Sequence, residues 1–301
     1  MALKGGFWSA ILTSPVEDPG RDTAFAFVRS LAAELSAGRV DLPSFPEIAV
    51  RVRRVLSDPN STLDQVVRVV SSEPARGARI LRMSNSASLN RSGKPVTTLR
   101  VAVNRMGYNI VRSAAISFAM AQIRTSNKLA GLEHYLTDLW ETCTRVAAFA
   151  FVLARTCTRI NPDEAMLTGM MHGIGKLYVL TRALDHPDLF QDAAALNEII
   201  AGWHAVIGKA ILENWEFADF MSQAVGEQAD LERDDDCPPD MRDVLAMAIV
   251  MASHANDLPG LEAALAGLPA ARRLRLNQER SLTIVRDSGA EISALNQALG
   301  A

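Results

Sequence analysis

The chain has 301 residues, 49% of them hydrophobic and 22% charged, enough for a large buried core in one or two domains of about 150 residues each. Its 31 basic and 34 acidic side chains leave a net charge of −3, which argues against a general nucleic-acid binder, because neutralising phosphates needs a basic surface. Cys143, Cys157 and Cys237 form no CxxC pair, which argues against a disulfide scaffold and a thiolate zinc site. Residues 1–15 are too short and too interrupted for a secretory signal, and no run approaches the roughly 20 apolar residues of a membrane span, so a cytoplasmic protein is expected.

Aromatic residues make up only 6%, while alanine, leucine, methionine and arginine are plentiful. These lose little side-chain freedom in helices, so the composition points to an all-α fold. From the N-terminus, Asp22 or Thr23 is placed to cap a helix running to Ser36, with Gly38 just past its end. Pro43 and Pro46 bracket a turn before the apolar run Ile48–Leu56, which Asp58-Pro59-Asn60 ends. Ser61 or Thr62 starts the next segment, where Val66, Val67, Val69 and Val70 fall in pairs that suit a short helix despite their β-branching. Pro74 fits the first turn of the following helix, and Asn85 ends it by tolerating left-handed backbone and bonding nearby main chain. From Trp140, the positions Trp140, Cys143, Ala147, Ala150, Phe151 and Ala154 trace one helix face, and Asn161-Pro162-Asp163 starts another helix. The acidic, proline-paired segment Asp230–Asp240 reads as a solvated loop, followed by an apolar helix over Met241–His254 and two weaker helical stretches. The expected plan is a helical extension over residues 1–37, a compact unit over 38–257 and a second helical extension over 258–301.

Four blocks carry more information. In order they are Leu42-Pro43-Ser44-Phe45-Pro46 with the later Ile80-Leu81-Arg82-Met83-Ser84-Asn85-Ser86-Ala87; Ala102-Val103-Asn104-Arg105-Met106-Gly107; Gly169-Met170-Met171-His172-Gly173-Ile174-Gly175-Lys176-Leu177; and Trp203-His204-Ala205-Val206-Ile207-Gly208 with Trp215 beyond. In order and spacing these blocks resemble the HDOD family, the HD-related output domain of bacterial signalling proteins. The resemblance implies a multi-helix bundle related to HD phosphohydrolases. In those enzymes a histidine, a His-Asp pair and a distal aspartate hold divalent metal that activates a water. Carried onto this chain, the first histidine falls at Thr142, the pair reads His172-Gly173, and the distal aspartate is Asn256. The His-His pair that members often carry after the tryptophan block is Glu227-Gln228. One histidine out of four ligands does not hold a catalytic metal with useful affinity, so no catalytic residue, metal or cofactor is expected. The one route to a metal gathers His172, His204 and His254 near Asn256, Glu141 or Glu227.

Read singly, His172 is a buried histidine bonded to backbone, and Gly173 and Gly175 supply positive φ or close helix contact. His204 and Trp215 are spaced to share a helix face within the core, and Cys143 and Cys157 are small core residues. Arg76, Arg79 and Arg82 recur every three residues; such a stripe is ordinarily a solvated face and otherwise meets an acidic partner or a phosphate-bearing messenger. No nucleophile elbow or P-loop is present. The expected function is a non-catalytic regulatory module of bacterial signal transduction, acting through protein–protein contacts with a signalling protein supplied in trans, with room for a small ligand in the inter-helix cleft. The alternatives are a residual phosphohydrolase with an atypical histidine site and a nucleotide-messenger binding protein. Neither a membrane nor nucleic acid is expected as partner, and the oligomeric state is open.

Overall fold

A computed structural model of the chain describes residues 19–38, 62–64, 67, 74–85, 90, 93–107, 111, 129, 131–233, 237–287, 289 and 293. The helices expected over Ile48–Leu56 and most of the valine-rich segment lie outside these residues. Among the described residues the regular structure is helical throughout, with no strand, and no helix is long and apolar enough to cross a membrane.

Helix α1 (Pro19–Ser36) starts before the expected capping residues Asp22 and Thr23. Proline tolerates a first turn because it has no amide to leave unpaired, so Asp22 and Thr23 lie inside the helix rather than at its cap. Its C-terminus is as expected: Gly38 adopts φ +64 and its amide returns to the Leu35 carbonyl at 3.1 Å. Phe27 and Leu31 are buried, and Glu34 bonds Tyr178 and Arg182, which locks α1 to the body of the protein. Helix α2 (Pro74–Ser84) begins at its proline and ends before Asn85. The Asn85 amide does more than close this turn. It donates to the Val96 carbonyl at 2.8 Å and accepts from the Val96 amide at 2.7 Å, clipping the segment after the helix back onto it.

Helix α3 (Glu133–Cys157) is the central element, buried through most of its length. After a short turn Asn161 caps α4 (Pro162–Met171), accepting from the Asp163 amide at 2.9 Å. Helix α4 packs along α3 so closely that a Cβ on Gly169 would lie 2.7 Å from the Ala147 Cα. Helix α5 (Ile174–Ala183) follows at once, and a 3-10 turn (Pro187–Phe190) leads to α6 (Ala193–Asn214), which lies across α5. Helix α7 (Asp219–Gly226) bridges α6 and α8 (Met241–Ser253), and α8 packs on α3. Three short helices complete the chain: α9 (Leu258–Leu265), α10 (Pro269–Arg273) and α11 (Gln278–Asp287).

The segment before α8 is not simply the solvated loop its composition suggests. Asp240 and Asp243 form a reciprocal capping box on α8, and Asp243, 1% exposed, takes hydrogen bonds from Arg233 at 2.7 Å and Arg273 at 2.7 Å. Burial disfavours the Asp240 carboxylate, but Arg242 and Arg233 outweigh that and hold its pKa below the usual carboxylate range. One buried apolar cluster runs from Phe27 in α1 to Ile284 in α11, so both flanks share the core of the body.

Candidate functional site

The motif residues meet where α4 turns into α5 and α5 crosses α6. The turn is tight: His172 still has helical backbone, with φ −58, and Gly173 caps α5 at φ −89. His172 is 2% exposed. Its Nδ1–H donates to the Gly169 carbonyl at 2.6 Å, which leaves Nε2 as the bare ring nitrogen. Burial, with Lys176 and His204 adding like charge, pushes its pKa down to about 4 against the opposing pull of the Gly169 bond, so the ring is neutral at pH 7. The His172 carbonyl accepts from the Gln228 side chain at 3.2 Å, and the same amide donates to the Val225 carbonyl at 2.8 Å. Gln228 is therefore a strut between α7 and the turn.

Gly173 and Gly175 are needed for close approach rather than for positive φ, since neither adopts one. A Cβ at Gly173 would fall 2.6 Å from the Cys143 Sγ and 2.7 Å from the Leu139 Cδ1, both on α3. A Cβ at Gly175 would fall 1.9 Å from the His204 carbonyl oxygen and 2.8 Å from the Gly208 amide nitrogen. Helices α5 and α6 thus cross with their backbones touching. Gly208 closes the same crossing, where an added Cβ would meet the Val225 side chain at 2.9 Å. Cys143 is fully buried, and burial pushes its thiol up to about 12 despite Lys176. It is a packing residue, with no thiolate to act as ligand or nucleophile.

His204 is half-buried on α6; its Nδ1–H donates to the Ile200 carbonyl at 2.8 Å, and burial followed by Lys176 lowers its pKa. Lys176 therefore bears on His172, His204 and Cys143 together. Sequence reasoning passed over it, although it stands one helical turn beyond His172. His254 lies elsewhere: it ends α8, donates to the Val250 carbonyl at 2.9 Å, and its ring sits beside Gly260 of α9. The ionisable groups that act on His172 are Lys176 and His204, not His254. Glu227 is engaged by Arg242 at 2.9 Å, while Glu141 and Asn256 are exposed. Among the described residues no three histidine, cysteine, aspartate or glutamate side chains come together.

The other motif positions have structural settings. Trp215 is buried at the end of α6, and Gly107 closes the helical run 99–107 at φ +79. Ser84 is fully buried beside Asn85, and Arg82 is exposed in the last turn of α2. Only the backbones of Arg76 and Arg79 are described, and Leu42, Pro43, Pro46 and Ser86 lie outside the described residues.

The donor set does not fit an HD-type metal. The pair's carboxylate position is a glycine packed against the Cys143 and Leu139 side chains, the thiol next to it stays protonated, and an ammonium bears on the two nearest imidazoles.

The family model of the HDOD domain matches residues 42–231. A protein of Shewanella amazonensis SB2B, provisionally named a metal-dependent phosphohydrolase, is 27% identical with a TM-score of 0.73, covering 92% of this chain and 99% of that one. A protein of Marinobacter aquaeolei VT8, provisionally named for signal transduction, shares the fold at 20% identity and a TM-score of 0.60, covering 94% of this chain and 66% of its own. A curated relative, an uncharacterized protein of Treponema pallidum (strain Nichols), is 23% identical over 202 residues. That match covers 63% of this chain and spans 38% of the relative's length.

Proposed function

The chain belongs to the HDOD domain family, and on that premise we propose that it is a non-catalytic regulatory module of signal transduction, acting through protein–protein contacts. One observation carries this reading: the position of the pair's aspartate is Gly173, packed against Cys143 and Leu139. Without that carboxylate a divalent ion loses its strongest oxygen donor, and the remaining His172 offers a single nitrogen. The rest of the former site acts as a spacer, in which Gly169, Gly175 and Gly208 bring helices into contact and Gln228 fixes the turn. A rigid helical body of this kind presents surface rather than chemistry. We place it in a bacterial cytoplasm, with a signalling protein as its partner.

A second reading, a metal-dependent phosphohydrolase with an atypical histidine site, is favoured by the name given to the Shewanella protein. Hydrolysis of bis(p-nitrophenyl) phosphate and of cyclic nucleotides, assayed with added manganese, iron or zinc, separates the two. The regulatory reading predicts the same background rate for the wild type and for His172→Asn. Metal-dependent turnover that a chelator and His172→Asn both abolish would establish the enzyme instead.

A further inference from the structure

On another part of the molecule, the end of α3 and the turn between α10 and α11 enclose an open cavity of about 570 Å³. Arginines Arg159, Arg273, Arg275 and Arg280 line it, with Pro238 and Pro239 forming an apolar wall, and among the described residues no lining residue is acidic. In a chain of net charge −3 this is a local reversal of sign.

The arginines divide into supports and free charges. Arg273 grips Asp243 and donates twice to the Arg233 carbonyl at 3.0 Å, so its charge is compensated. Arg280 donates to the Thr156 carbonyl at 2.9 Å, which holds its guanidinium at the end of α3 but leaves its formal charge unmatched. Among the described residues no carboxylate pairs with Arg159, Arg275 or Arg280. Arg159 and Arg275 are exposed. Arg275 follows α10 with φ +54, where its amide returns to the Arg272 carbonyl at 3.0 Å and the Leu276 amide to the Ala271 carbonyl at 2.8 Å. That loop ordinarily takes glycine, so here a long cation occupies a backbone position that disfavours any side chain.

We infer that this cavity binds a small molecule carrying two or more phosphate groups. Guanidinium groups present paired N–H donors matched to phosphate oxygens, and several of them together suit a charge spread over adjacent phosphates better than a single carboxylate. The volume is that of a site for a ligand of nucleotide size, and the Pro238–Pro239 wall offers an apolar surface to the rest of the molecule. Arg159, Arg275 and Arg280 take the phosphates, and Arg273 fixes the floor. This assignment holds whether or not the His172 region is silent.

Titration calorimetry at low salt with inorganic pyrophosphate and with adenosine triphosphate tests it. Arg275→Gly removes the cation and installs the residue that the backbone favours, so the fold is not put at risk. The expected result is binding of one ligand per chain, weakened about tenfold or more in both Arg275→Gly and Arg159→Ala, as loss of a charge-assisted bond implies, with no fall in Tm. Arg29→Ala on α1, an exposed arginine remote from the cavity in the chain, leaves affinity unchanged. Absence of binding by both probes overturns the assignment, and so does equal weakening by Arg29→Ala, which would mark a general charge effect.

Discussion

A histidine that is buried and approached by an ammonium resists protonation, and in His172 these two conditions outweigh the opposing pull of its Nδ1–H bond to the Gly169 carbonyl. Its imidazole titrates near 6.5 in the unfolded chain and near 4 in the fold. Between those values the unfolded state holds more protons, so acid favours unfolding. Stability is complete above pH 6.5 and falls as the pH drops, by about 2 kcal/mol at pH 5 and about 3 kcal/mol once below 4. His204, lowered by burial and Lys176, acts in the same direction. Urea denaturation at pH 7 and pH 5 measures the loss. His172→Asn keeps a donor for the Gly169 carbonyl and flattens the dependence; an unchanged slope in that variant would place the effect elsewhere. At this scale the sequence was legible where the partner is local. A histidine closing an apolar helix reads as buried and backbone-bonded, whereas the meeting of Lys176 with His204 depends on the crossing of α5 and α6, which no spacing reveals.

Two glycines decide how α5 and α6 meet, and they differ in what can yield. At Gly175 an added Cβ collides with the His204 carbonyl, which is backbone inside a helix. At Gly208 it meets a side-chain methyl of Val225, which can move by rotamer change. Gly175→Ala therefore costs about 3 kcal/mol or more by forcing the helices apart, and Gly208→Ala about 1 kcal/mol. Thermal denaturation of the two variants gives the order; equal Tm losses would contradict it. Helix ends marked by their own chemistry, such as Asn161-Pro162, Pro74 and Gly38, were readable from the sequence, because a cap is a local device. The start of α1 was not, since Asp22 and Thr23 are sound caps that the helix, begun at Pro19, passes through. Asn85 was read as a local terminator; its bonds to Val96 join it to a segment that approaches only in the fold.

Across the whole molecule, one buried carboxylate ties distant parts of the chain. Asp243 receives Arg233 from the preceding loop and Arg273 from α10, and through Arg233 it shares Asp240 with Arg242. Removing it takes one ion pair from each of two largely buried guanidiniums, Arg233 keeping Asp240, and Asp243→Ala is expected to cost about 3–5 kcal/mol, measured by urea denaturation. A loss below about 1 kcal/mol would mean that the pairs merely offset their own desolvation. The all-α class and the family were legible because the motif residues are those at which helices touch. The acidic segment before α8 reads as only solvated because Arg273, which binds its Arg233 carbonyl, is remote in sequence, and the arginine cavity is invisible for the same reason. At this scale the regulatory reading makes its plainest claim, that an HD-like body persists without its metal. Elemental mass spectrometry of protein purified without a histidine tag tests that claim most directly. The account predicts iron, manganese and zinc each far below one ion per chain, whereas near-stoichiometric metal that His172→Asn removes would contradict it.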